Sequence, residues 1–170
     1  MPNILTAPAR LSAAQRKATT TLYLAGPFDD TDGDAKRTRS WRDDVIDSFA
    51  DLDITIIDPR SERRPGLEAG SAGRRGAYDW QCAAAFDADV VMVWVPADRH
   101  APTALMILGY LGAKRNNAKK GNSVVVGGGG WDGLVQLFAQ NQRLFPAGDT
   151  LAEAIRLTRL QVEAALAAKK

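Results

Sequence analysis

The sequence has little of what metal sites and disulfide frameworks need. Among its 170 residues there is one cysteine, Cys82, and one histidine, His100. A single cysteine excludes an intrachain disulfide, and one histidine with one cysteine excludes the ordinary zinc sites built from these residue types. We therefore expect no metal and no other cofactor, and the low cysteine content favours a cytoplasmic protein.

Long apolar runs and a strong net charge are also lacking. The longest apolar run, Val90 to Pro96, is much shorter than the about 18 apolar residues that a membrane-spanning helix needs. Twenty-two Lys and Arg against twenty Asp and Glu leave a formal net charge of +2, so a nucleic-acid partner is not expected. The composition, with 45% hydrophobic residues, fits one compact domain with a small-molecule ligand and no membrane contact.

Short β-branched runs alternate with longer amphipathic stretches, which is typical of βαβ units. Strands are predicted at Thr20–Ala25, Asp53–Ile57, Val90–Val95 and Ser123–Val126, with a short one near Leu144 and Phe145. Helices are predicted at Ser40–Ala50, Ala77–Asp87, around Ile107, at Leu134–Asn141 and at Asp149–Ala168, with a long Gly- and Arg-rich loop ending near Arg75. The pattern predicts a three-layer α/β fold: a five-stranded, mainly parallel sheet with helices on both faces. Residues 20–170 are expected to form this single domain, and residues 1–19 a flexible N-terminal extension.

Several short motifs stand at the ends and starts of these elements. They are Tyr23-Leu24-Ala25-Gly26-Pro27, Trp41-Arg42, Asp58-Pro59-Arg60, Asp79-Trp80-Gln81, Ala88-Asp89-Val90-Val91, the Pro102-to-Gly109 helix start, and Val124-Val125-Val126-Gly127 followed by Trp131. In this order and spacing they resemble the nucleoside 2-deoxyribosyltransferase family, whose fold is flavodoxin-like. The resemblance implies a nucleoside or nucleotide ligand, cleavage or transfer of an N-glycosidic bond through a glutamate nucleophile, and a homodimer or higher homo-oligomer.

The sequence departs from that family where its carboxylates are expected. By the resemblance, the nucleophile position is occupied by Ile107, the carboxylate that faces the base corresponds to Gln81, and a third acid falls near Ala101. The window 101–114 contains no Asp or Glu at all. An isoleucine can only pack, because it has no group that can attack an anomeric carbon.

Other residues remain candidates for a site at the carboxyl ends of the strands. Tyr23 matches the family tyrosine that orients the nucleophile, and Gln81 can donate to and accept from a base edge but cannot supply a proton as an acid. The candidate catalytic residues are Tyr23, Asp79, Gln81, Asp98 and His100. The candidate ligand-binding residues are Tyr23, Gly26, Pro27, Phe28, Asp58, Arg60, Asp79, Trp80 and Gln81.

The arginines that follow the second strand allow two interpretations. Guanidinium groups match phosphate oxygens, yet solvated loop charges are the commoner explanation for such a cluster. The cluster consists of Arg60, Arg63, Arg64, Arg74 and Arg75.

Three functions stay open from the sequence. The chain is an enzyme acting on an N-glycosidic bond with rearranged catalytic groups, a catalytically inactive nucleotide-binding pseudoenzyme, or an interaction subunit. They differ in whether turnover, binding without turnover, or neither is observed.

Overall fold

The fold alternates strands and helices along the chain. The computed structural model describes residues 1–27, 40–60, 70–115, 122–129, 134–142 and 144–169. The strands are β1 Asn3–Thr6, β2 Thr20–Ala25, β3 Ile54–Asp58, β4 Val90–Trp94, β5 Ser123–Gly127 and β6 Phe145–Pro146. The helices are α1 Ala13–Ala18, α2 Trp41–Ser48, α3 Gly70–Asp87, α4 Pro102–Arg115, α5 Leu134–Asn141 and α6 Leu151–Ala168.

The six strands form one sheet in the order β1-β3-β2-β4-β5-β6, and every neighbouring pair is parallel. If β1 is set aside, the other five strands have the order 2-1-3-4-5, which is the flavodoxin-like arrangement. The predicted fold class is therefore confirmed. In this arrangement the strand order reverses between β2 and β4, and ligands of open α/β sheets bind outside the carboxyl ends of the strands at such a switch point.

Both faces of the sheet are covered, as a parallel sheet requires. Side chains alternate along β2, so Tyr23 and Ala25 pack towards α3, α4 and α5, while Leu22 and Leu24 pack on the side of α2 and α6. The central strands are buried along their length because they are apolar on both faces. The three predicted layers are observed.

The structure corrects two of the sequence predictions. The sheet has six strands rather than five, because β1 pairs with β3 from Asn3 opposite Thr55 to Thr6 opposite Asp58. Residues 1–19 thus contain an edge strand and a short helix rather than only a flexible extension. The strand has only two apolar residues in a row, and its hydrogen bonds come from pairing with β3. Helix α3 begins at Gly70, whereas the sequence predicts its start at Ala77, because adding residues to an existing helix gains one hydrogen bond each and offsets the cost of glycine.

The amino ends of the strands are tied together by one carboxylate. Asp89 accepts hydrogen bonds from the backbone N–H and hydroxyl of Thr21, each at 2.9 Å, and from Nζ of Lys169 at 2.7 Å. Lys169 also donates to the carbonyls of Arg16 and Thr19, so the end of α6 is joined to the segment between α1 and β2. Asp89 and Lys169 therefore have structural roles at this edge.

No helix in the described part of the chain combines the length and the apolar character that crossing a membrane requires.

Two glycines with opposite surroundings test the packing at the end of β2. A Cβ at Gly26 would lie 2.4 Å from Cζ2 of Trp41 and 3.0 Å from the carbonyl oxygen of Trp94, whereas a Cβ at Gly76, within α3, would meet nothing within 4 Å. We expect Gly26→Ala to lower the free energy of unfolding by about 1–3 kcal/mol through overpacking. Gly76→Ala should raise it by up to about 1 kcal/mol, because alanine is the better helix former. Urea denaturation measures both, and a Gly26→Ala variant as stable as the parent would contradict the packing described.

Candidate functional site

The candidate site lies at the switch point, where the carboxyl ends of β2 and β4 are neighbours. The two strands pair in register up to Ala25 opposite Val93. Gly26 and Pro27 follow β2, and the turn that carries Asp98 and His100 follows β4. The side chains of Asp98 and His100 are exposed, so the structure brings two of the predicted catalytic candidates to the edge where a ligand is expected.

The turn after β2 is held by the first residues of α2. Arg42 is completely buried, and its Nη1 and Nη2 donate to the carbonyls of Pro27 at 2.6 Å and Gly26 at 2.9 Å. The indole Nε1 of Trp41 donates to the same Pro27 carbonyl at 3.2 Å. These carbonyls are therefore already used by the protein, and the glycine at position 26 is needed for contact with Trp41 whether or not a ligand binds.

A chain of charged groups extends this network along the carboxyl edge. Asp58, at the end of β3, is buried, lies 3.4 Å from Nε of Arg42 and accepts from Nε of Arg60 at 2.6 Å. Arg60 also donates to Asp43 at 2.8 Å, and Asp43 completes the capping box of α2 with Ser40. Partial burial lowers the pKa of the Arg60 guanidinium, but its hydrogen bonds and the charges of Asp43 and Asp58 outweigh this and raise the pKa. A fixed cation, with a quarter of its side chain exposed, thus lies at this edge.

Two of the candidate residues, Tyr23 and Gln81, meet inside the fold. The Tyr23 hydroxyl donates to Oε1 of Gln81 at 3.5 Å, which is at the long end of the range for a hydrogen bond. Burial raises the pKa of Tyr23 far above its usual range, and the lowering effect of nearby Arg42 does not offset this. Tyr23 is therefore a neutral hydrogen-bond donor at physiological pH.

Two further residues of α3 belong to the same neighbourhood and were not identified from the sequence. The pKa of Tyr78 is raised to about 12, first by a hydrogen bond with Cys82 and then by burial. Cys82 is itself buried and also contributes to the raised pKa of Tyr23. Tyr78 and Cys82 are four residues apart, so they lie on the same face of α3. This spacing could have been recognised in the sequence.

Ile107 lies in the apolar core. It is 1% exposed and belongs to the cluster that also contains Ala101, Ala104, Leu108 and Leu111 from the same helix and its start. Residue 107 lies five residues beyond the start of α4, about 7.5 Å along the helix axis. Its environment is that of a packing residue.

The remaining candidates make no contact with Tyr23 comparable to that of Gln81 in the part of the chain that the structure describes. Asp79 is exposed on α3, and Trp80 is buried and donates through Nε1 to the carbonyl of Ala9 at 3.0 Å, so it contacts the N-terminal segment. Phe28, Arg63 and Arg64 lie outside the described residues, as does the side chain of Arg74. Within the described ranges, no three His, Cys, Asp or Glu side chains come together to hold a metal ion.

Arg42 is the residue of this region whose role sequence reasoning missed. It lies on the same helical stripe as Val45 and Phe49, three and seven residues later, both of which are buried. A charged residue on the apolar stripe of a helix must find a buried partner, and Asp58 ends an otherwise apolar strand. The sequence therefore indicated an ion pair between Arg42 and Asp58, because neither charge would be buried at its position without the other.

A comparison with family models agrees with this arrangement. A model described as nucleoside 2-deoxyribosyltransferase like matches residues 19–120, which is more than half of the chain. The chain belongs to this family. The matched range includes every candidate residue from Tyr23 to Ile107 and leaves out β1 and α1. No protein of the curated collections matches the chain.

The burial of position 107 can be tested with a carboxylate. We expect Ile107→Glu to be destabilised in a pH-dependent way, because burial raises the pKa of a carboxyl group above its unfolded value of about 4.3. Below that pH both states are protonated and the pH-dependent penalty is absent. As the pH rises, the unfolded chain ionises first, and the variant loses up to about 1.4 kcal/mol per pH unit until the folded pKa is reached.

Thermal unfolding from about pH 4 to pH 8 measures this loss relative to the parent protein. Leu137→Glu is the matched control, because Leu137 is 52% exposed on α5 and its carboxylate should remain solvated. An Ile107→Glu variant whose melting temperature tracks that of the control across this range would show that residue 107 is accessible to water.

Proposed function

We propose that the protein binds a nucleoside or nucleotide at the switch point between β2 and β4 and forms no covalent glycosyl intermediate at position 107. Family membership supports the ligand class, since the matched description names nucleosides. The fold supports the position, because the strand order reverses between these two strands. Arg60 lies at the same edge, but its guanidinium already pairs with Asp43 and Asp58, so a nucleotide phosphate would compete there with two carboxylates.

The absence of covalent transfer rests on the environment of Ile107. Transfer through a glycosyl-enzyme intermediate needs a carboxylate that attacks and later leaves. Position 107 carries an alkyl side chain that is 1% exposed, and the pair formed by Tyr23 and Gln81 is electrically neutral. Neutral groups cannot stabilise the positive charge that develops on the sugar ring as well as a carboxylate does.

A second candidate is hydrolysis of the N-glycosidic bond by rearranged groups. Asp98 and His100 favour it, because both are exposed in the turn that follows β4. A carboxylate and an imidazole are able to serve as base and acid for such a reaction. In this case base is released into water, and no second base receives the sugar.

We expect nucleosides or their 5′-monophosphates to stabilise the protein without covalent modification. A ligand at about 100 times its dissociation constant stabilises the folded state by about 2.7 kcal/mol, which corresponds to a rise in melting temperature of about 5–10 °C. Thermal shift identifies the ligand, intact mass after incubation with a slowly turned-over deoxyribosyl analogue detects any adduct, and chromatography detects released base. A stable sugar adduct would refute the proposal, and released base without an adduct would favour the second candidate.

Variants in the turn after β4 locate the site. Asp98→Asn and His100→Ala should weaken ligand binding or abolish base release, because they change the exposed groups at the switch point. Asp53→Asn is the matched control, since Asp53 is exposed before β3 at the opposite edge of the sheet. Equal effects of the Asp98 and Asp53 changes would contradict a site at the switch point. If no nucleoside or nucleotide binds, the result would support an interaction subunit.

We also propose that two copies of the chain associate through the exposed face of α4. Met106 is 55% exposed, Gly109 has open space where a side chain would be, and Phe86 of α3 extends the apolar surface by an edge contact with Tyr110. Met106 and Tyr110 lie two residues before and two residues after residue 108. If a twofold axis crosses the antiparallel α4 helices at the level of residue 108, Met106 of one protomer faces Tyr110 of its partner.

The family resemblance implies a homodimer or higher homo-oligomer, which favours a second copy of the chain as the occupant of this face. The sequence suggests α6 as another apolar face, but its exposed Leu160 lies between the charged residues Arg156 and Glu163.

We expect Met106→Glu to convert the dimer into a monomer, because it places two like charges at the centre of a twofold interface. Sedimentation equilibrium at micromolar concentration measures the state. Leu160→Glu is the control, since Leu160 has a similar exposure of 49%. A monomeric parent protein, or a dimer that Leu160→Glu disrupts and Met106→Glu does not, would contradict this interface.

A further inference from the structure

A cavity of about 190 Å³ lies between α3 and the N-terminal segment. Leu5, Leu11, Ile57 and Trp80 supply apolar wall, and Ala83 and Ala84 of α3 leave space because their side chains are small. Trp80 is 5% exposed and its indole N–H is already used by the carbonyl of Ala9, so its ring is available only as apolar surface. The cavity is partly open to solvent, and its volume is similar to that of an engineered cavity of about 150 Å³ in another protein that takes up benzene.

The charges around the cavity leave one positive charge in excess. Arg10, Arg16 and Asp87 line it, and Arg16 forms an ion pair with Asp87 that joins α1 to α3. Arg10 is exposed, and its side chain makes no hydrogen bond or ion pair in the part of the chain that the structure describes. Arg16 and Asp87 already neutralise each other, so a ligand with one negative charge would neutralise the remaining positive charge of Arg10.

The N-terminal segment that builds this cavity is not part of the family match. Five of the eleven lining residues, from Leu5 to Arg16, precede residue 19, where the match begins. The lining of the cavity differs from the residues at the switch point, because it includes none of Tyr23, Gln81, Asp98 and His100.

We propose that this cavity is a second binding site, for a small monocarboxylate with a planar or branched apolar body. The apolar body would occupy the space beside Trp80 and Ala84, and the carboxylate would pair with the guanidinium of Arg10. This site is independent of the nucleoside or nucleotide site proposed above.

Calorimetry with benzoate and isovalerate tests the proposal, with benzamide as the neutral counterpart of benzoate. We expect at least one of the two carboxylates to bind the parent protein. If benzoate binds, its affinity should exceed that of benzamide about tenfold or more. Arg10→Gln should weaken binding by a similar factor. Arg156→Gln should not, because it removes an exposed arginine from α6 on the other face of the sheet.

A second variant separates the cavity from a general charge effect. Ala84→Leu should abolish binding by filling the space, and Ala83→Val serves the same purpose if the larger change prevents folding, which circular dichroism checks. Asp98→Asn should leave carboxylate binding unchanged, so failure of the nucleoside proposal and failure of this one are distinguishable. The proposal is overturned if neither carboxylate binds the parent protein, if benzamide binds as well as benzoate, or if binding survives in the folded cavity-filling variant.

Discussion

The buried ion pair between Arg42 and Asp58 is the interaction on which the carboxyl edge of the sheet depends. Two charges taken out of water cost several kcal/mol each, so such a pair persists only when the remaining donors and acceptors are satisfied. Here the Arg42 guanidinium also donates to the carbonyls of Gly26 and Pro27, and Asp58 also accepts from Arg60. The pair therefore fixes the ends of two adjacent strands and the start of the helix between them.

The position of the edge groups follows from this pair. Because the two carbonyls after β2 are drawn towards Arg42, the chain passes so close to Trp41 that residue 26 has no room for a side chain. Because Asp58 holds Arg60, a second guanidinium is kept beside Asp43 at the start of α2. The buried charges thus organise the edge, and Asp98 and His100 remain exposed on the adjacent strand's turn.

The sequence predicted the architecture well where the periodic signal was long. The strand Thr20–Ala25 consists of β-branched and apolar residues and is bounded by a Gly-Pro break, so the prediction and the structure share the same bounds. It failed for β1, because an edge strand obtains its stability from pairing with β3 rather than from its own short apolar signal. For the site, the family resemblance named Tyr23 and Gln81 as separate candidates, and their side chains meet in the structure. The role of Arg42 was missed, since the residue that satisfies it lies sixteen positions later on another element.

The apolar residue at position 107 is consistent with the groups around Tyr23. A carboxylate under a sugar ring needs partners that tolerate its charge, and its burial would otherwise raise its pKa. Tyr23 remains protonated because burial raises its pKa, and its hydroxyl meets the amide of Gln81 at the position where the family resemblance implies a carboxylate. Ile107 adds no charge. Because Tyr23, Gln81 and Ile107 are all neutral, none of them requires a charged partner. The fold thus keeps its switch point in a chain whose residues 81 and 107, where the family resemblance implies carboxylates, are neutral.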